Sequence, residues 1–165
     1  TDATNARVFH GRISVTEGEA SMPNWDQLEA YIRANLKLLR EDERGLWLGW
    51  QSRSEDGQLD RQALFISPMT AYREPWIVLV AEVGPDSLLS QREALLLNAD
   101  LTIGALSLYE GHYGLRCALN IKSLPIDDII LFSERLALAA VELRRRLTQP
   151  APPAKSATVQ GYWSK

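Results

Sequence analysis

A chain of 165 residues, 45% of them hydrophobic, carries enough apolar material for one globular core. Its formal net charge of -3 argues against bulk affinity for nucleic acid, which needs a basic footprint, while leaving room for a local basic strip. Cys117 is the only cysteine and His10 and His112 the only histidines, which excludes an intrachain disulfide and a cysteine-rich zinc site and leaves little for a histidine one. No apolar run approaches the roughly 20 residues needed to span a bilayer. The polar start, Thr1 to Arg7, has no apolar signal core. The expectation is a reduced, cytoplasmic protein.

Residues 1–23 read as an N-terminal arm, partly flexible, with a short β-like stretch from Arg7 to Val15 that Gly11 interrupts. Helix one follows. Asn24 and Gln27 have capping-box spacing, and Trp25, Leu28, Ile32, Leu36 and Leu39 recur at helical intervals up to the charged segment Glu41 to Gly45. Leu46 to Gln51 reads as a strand with large groups on both faces, Ser54 to Gln58 as a turn, and Ala63 to Ser67 as a second strand. Pro68 to Pro75 reads as a longer connection. The unbroken apolar run Trp76 to Val83 predicts a central strand covered on both faces. Gly84-Pro85 stops it, and Asp86 is the expected cap of a second helix that ends near Asn98.

Ile103 to Tyr109, Glu110-Gly111 and His112 to Ile121 predict a hairpin. Leu106 and Leu108 point one way, while Tyr113, Leu115, Cys117 and Leu119 share one face of the return strand. After Leu124-Pro125 a long amphipathic helix carries Asp127 and Asp128 in its first turn and Arg144, Arg145 and Arg146 in its last, both suited to the helix dipole. Residues 149–165 form a Pro-rich tail. The order is α-β-β-β-α-β-β-α, with the domain proper at 24–148.

Little in this pattern points to catalysis. His112 reads as a solvated hairpin histidine with no nucleophile or second acid tied to it. Cys117 reads as a small buried hydrophobe, Asp127 and Asp128 as helix-start residues, and the three arginines as a solvated terminus. No phosphate-loop, dinucleotide or zinc-protease motif occurs, so neither an enzyme nor a cofactor is expected. The aromatic and leucine content is more telling. Trp47 and Trp50 fall on opposite faces of one strand, so both faces need cover. Helix one and helix three could take one side each; otherwise a second copy or a bound segment takes one. Leu88, Leu89, Leu95, Leu96 and Leu97 exceed a single stripe, as in a helix buried on two sides.

Leu95-Leu96-Leu97-Asn98, Ile103-Gly104-Ala105-Leu106-Ser107-Leu108, the Glu-Gly turn, Leu115-Arg116, Leu119 and Leu124-Pro125-Ile126 before a long helix resemble the YbjN-like proteins. These are similar in turn to the class I type III secretion chaperones. The resemblance covers roughly residues 24–148. It implies an α+β fold with an antiparallel sheet packed against helices, a homodimer, and a role in holding segments of partner proteins without cofactor or catalysis. By position, client binding would fall to Trp47, Trp50, Phe65 and Trp76, and the dimer interface to Leu88, Leu89, Leu95 and Leu96. The alternative is a regulator associated with nucleic acid, reached most simply through a DNA-binding protein partner. It would draw on Arg33, Lys37, Arg40 and Arg144 to Arg146, with Tyr162 and Trp163 as stacking groups.

Overall fold

Asn24 opens the first helix as its spacing to Gln27 predicts. Its Oδ1 accepts from the Gln27 N–H at 2.9 Å, and Gln27 Oε1 accepts from the Asn24 N–H at 3.0 Å. The computed structural model describes residues 23–53, 57 and 59–148, so the expected arm and Pro-rich tail lie outside the described residues. Helix α1 spans Trp25–Asn35 and buries Leu28 and Ile32 fully. It stops a turn before the sequence period does. Leu36 has extended backbone, and Leu38–Asp42 forms a strand, β1, antiparallel to β2 (Gly45–Arg53). Leu36 and Leu39 fit a helical period, but the pairing of Leu38 with Leu48 wins over it, a tertiary override of a local pattern.

The observed order among the described residues is therefore α-β-β-β-β-α-β-β-α, an α+β fold with three helices and one open six-stranded antiparallel sheet. Strands β3 (Leu59–Ala71), β4 (Glu74–Pro85), β5 (Ala105–Tyr109) and β6 (His112–Asn120) complete the sheet, in the lateral order β1-β2-β3-β4-β6-β5. The long connection expected over Pro68 to Pro75 is instead the end of one hairpin. Tyr72 and Arg73 form its two-residue turn, with φ of 53° and 65°, the left-handed pair whose twist matches the flanking strands. Pro68 is tolerated because it lies past the last β2–β3 pair, Leu46 with Ile66, where β3 has no β2 partner.

The second helix also differs from expectation. Asp86–Leu88 is a single 3-10 turn, and Ser90 rather than Asp86 caps helix α2 (Gln91–Asn98) through a capping box with Glu93. Leu88 and Leu89 thus precede the helix. Helix α3 runs Ile126–Thr148, with the acidic first turn and basic last turn its sequence predicts.

All three helices serve one face of the sheet. Strand alternation sends Leu46 and Leu48, Leu64 and Ile66, Leu79 and Ala81, and Leu115 inward, where they join Leu28 and Ile32 of α1, Ala94 of α2 and Leu136 and Ala140 of α3 in one cluster. Helix one and helix three do not take opposite sides. Nor do the described residues place a helix on the second face of β4: its inward Ile77, Leu79 and Ala81 are 0% exposed, whereas of the outward residues Val78 is 8% exposed and Trp76 and Val80 are half-buried, and all three stand outside the cluster.

Where β2 begins beside β3, a Cβ on Gly45 would collide with the Ile66 carbonyl oxygen and lie 2.9 Å from Ser67 Cβ. Gly45→Ala is expected to destabilise the protein by about 1–3 kcal/mol. Urea denaturation checks this, and an unchanged midpoint would contradict the close approach of these strands.

Candidate functional site

The alternation that turns Leu46 and Leu48 inward turns Trp47 outward. Register then sets Trp47 opposite Phe65, Phe65 opposite Val80, and Val80 opposite Arg116, while Arg40 of β1 pairs with Trp47. One row of side chains thus crosses five strands, roughly 19 Å at about 4.8 Å per strand. Its centre is apolar and each end is a guanidinium. The Trp47 and Phe65 rings lie 5.0 Å apart between centroids, tilted by 42°, and Arg40 Cζ lies 5.0 Å from the Trp47 centroid. Further along the same face Met69 pairs with Trp76, and Tyr72, 89% exposed, meets Trp76 edge-on at 6.3 Å. Trp76 Nε1 is the one buried side-chain polar atom without a partner among the described residues.

Trp47, Phe65 and Trp76 are half-buried, and none belongs to the core cluster. Adjacent large aromatics on an uncovered sheet face form the kind of apolar patch that marks an interaction surface. Trp50 is separated from them. It sits opposite Gln62 on the helix-covered face and packs against the core. Of the four residues expected to meet a client, three share one open face and one does not.

Asp42 fixes the β1 end of this row. Its carboxylate accepts from the Arg44 N–H at 2.9 Å, the Arg40 guanidinium at 3.3 Å and the Trp47 indole at 3.4 Å. The Arg44 N–H foremost, then the indole and the two arginines, hold the Asp42 carboxyl below the usual carboxylate range against partial desolvation.

At the opposite edge of the sheet, Asn98 ends α2 by clamping β5. Its Oδ1 accepts from the Leu106 N–H at 2.6 Å and its Nδ2 donates to the Leu106 carbonyl at 3.3 Å. Leu95 and Leu96 are left 72% and 63% exposed, with Leu108 and Tyr109 exposed on the neighbouring strand. Leu88 and Leu89 are half-buried. Leu88 lies over Gly84, whereas Leu89 packs on the core and accepts at its carbonyl from the Tyr113 hydroxyl at 3.1 Å. Two of the four leucines expected at a dimer interface are open to a partner, and two are occupied within the chain.

The remaining candidates fall into place individually. His112 is exposed, with Nδ1 3.3 Å from the Glu110 carbonyl. Cys117 is half-buried on the helix-covered side, where burial pushes its thiol up. The expectation of a solvated arginine terminus is corrected for two of its three members. Arg145 pairs with Asp60, and Arg144 donates to the Val83 and Glu82 carbonyls and to Gln62. Arg33 is held by Glu29 at 2.6 Å and Glu41 at 2.8 Å. The sequence reading overlooked Arg40 and Met69 as neighbours of the aromatics, because register rather than spacing assembles them. No helix among the described residues is long and apolar enough to cross a membrane. No family model matches the sequence, and no curated protein matches it.

The Asp42 site has a pH signature. A folded-state pKa below the unfolded one contributes stability that is complete above the ordinary aspartate value of about 3.9 and is lost as pH falls through the folded value. Trp47 emission should therefore titrate below pH ~3.9, with Asp42→Asn removing that step. A Trp47 signal that titrates identically in Asp42→Asn would contradict the link.

Proposed function

We propose that the protein is a non-catalytic, dimeric, chaperone-like binding module that holds a segment of a partner protein. The observation that carries this reading is the open sheet face on which Trp47, Phe65 and Trp76 stand without cover from any helix among the described residues. Aromatics anchored in a rigid sheet offer large contact area at small entropic cost, which is what binding hot spots use. The unpartnered Trp76 indole N–H adds a donor that a rearranged, partner-bound face would satisfy. The resemblance to YbjN-like and secretion-chaperone proteins supports the same reading. Dimerisation through the α2 edge draws support from exposed Leu95 and Leu96 beside Leu108.

The alternative, a regulator acting on nucleic acid, draws less from the geometry. Arg33 and Arg145 are both held in ion pairs within the chain, which favours the version that works through a protein partner.

Size exclusion with light scattering is expected to give a mass near twice 18.5 kDa. Leu95→Glu with Leu96→Glu should yield a folded monomer, since both side chains are mostly exposed. A monomeric parent protein at high concentration would remove the dimer from the proposal. For the binding half, Trp47→Ala or Phe65→Ala should weaken capture of a partner by roughly 30-fold or more, the effect of losing about 2 kcal/mol at a hot spot. Trp47→Ala and Phe65→Ala proteins that remain folded and bind as the parent does would refute it.

A further inference from the structure

A cavity of about 540 Å³ opens at the far end of the sheet from the Tyr72 turn, beside the last turn of α3. Lys37, Trp50, Arg61, Glu82 and Arg144 contribute to its lining. Arg144 is the informative member. The ladder between β4 and β6 is irregular between Glu82 and Gly84. Arg144 fills the gap: its Nε donates to the Val83 carbonyl at 2.8 Å and its Nη2 to the Glu82 carbonyl at 2.6 Å. Nη2 also donates to Gln62 Oε1 at 2.7 Å. Gln62 is only 4% exposed, and its Nε2 is committed to the Ala63 and Glu82 carbonyls at 2.8 and 2.9 Å. Its amide therefore presents an oxygen to Arg144, and the guanidinium is held in one orientation.

Every oxygen that Arg144 touches among the described residues is neutral. Neutral donors would have served the bulge equally well, whereas a half-buried cation held away from a counter-charge carries a desolvation cost that pairing ordinarily offsets. Among the described residues the ion pairs include none of Arg144, Lys37 and Arg61, and Glu82 comes within pairing distance of none of the three. Three cations and one carboxylate thus line a single cavity in a chain whose net charge is -3. Leu39, which lies over Gly49, gives the same cavity an apolar wall.

We infer that this cavity is an anion site, taking a small ligand whose phosphate or carboxylate group meets Arg144, Lys37 and Arg61 while its apolar part lies against Leu39. A planar guanidinium fixed by neighbouring oxygens suits both kinds of anion, because it engages them without losing further side-chain freedom. Arg61 and Leu39 stand on the same face of the sheet as Trp47, but no residue of the site belongs to the aromatic row, so its test does not depend on whether that row holds a partner.

Thermal unfolding and isothermal titration of the full chain test this, with inorganic phosphate and with succinate, each against sodium chloride at equal ionic strength. Phosphate stabilises many proteins weakly and without saturation. The expected response is a saturating one, with a rise in Tm of roughly 4 °C or more at a hundred-fold excess over Kd. The double variant Lys37→Glu, Arg61→Glu alters two exposed side chains and should weaken it at least 10-fold. Arg92→Glu, on the exposed face of α2, should leave it unchanged. Saturation by phosphate alone would assign a phosphoryl ligand, and by succinate alone a carboxylate ligand. The inference is overturned if neither probe differs from chloride, or if the response survives intact in the double variant.

Discussion

The packing of α3 against the inward side of β4 is the contact on which the rest of this structure depends. Ile77, Leu79, Ala81 and Val83 are 0% exposed, and across from them Ile129, Leu136 and Ala140 of the helix are equally closed to solvent. Because strand side chains alternate, that contact decides both faces at once. A slip of one residue in β4 would send Trp76, Val78 and Val80 under the helix and Ile77, Leu79 and Ala81 to the open side. The ladder passes the decision to β3 and β6, and β3 passes it to β2. The aromatic row on the open side is thus a consequence of where the core was placed.

Much of the fold was legible in the sequence, for identifiable reasons. The capping box at Asn24, the Glu110-Gly111 hairpin and the stripe from Ile129 to Leu147 are local signals, and each element begins or turns where its signal lies. Strand β1 was not legible. Leu38–Asp42 is short and charged, and its only claim to be a strand is the hydrogen-bonded edge that β2 offers it. The same holds for the late start of α2, where Ser90 with Glu93 competes with Asp86 as a cap and wins by making both reciprocal bonds.

The site divides along the same line. Alternation alone places Trp47 and Trp50 on opposite faces, and their separation in the fold follows from it. What alternation lacks is register, so the meeting of Trp47 with Phe65 and Arg40 depends on pairings between strands that no local pattern encodes. The arginines of α3 make the converse point. A run of three at a helix end reads as solvated, but Arg144 and Arg145 are drawn inward by the Glu82 and Val83 carbonyls and by Asp60, features more than fifty residues away in the chain. The sheet's two edges are managed by nearer groups. Asn98 occupies the backbone of Leu106 on β5, and Arg40, Glu41 and Asp42 put charge along β1, both of which discourage indiscriminate strand pairing.

We propose that the uncovered side of the sheet, and not the outer side of the helical layer, is where a partner protein is held. Photo-crosslinking in the native cell tests it most directly, with a benzophenone side chain placed at Phe65 on the open face or at Leu138 on the exposed side of α3. The account predicts that position 65 yields a discrete adduct with a second, different protein and that position 138 does not. Adducts from position 138 alone, or an indistinguishable pattern from both, would contradict it.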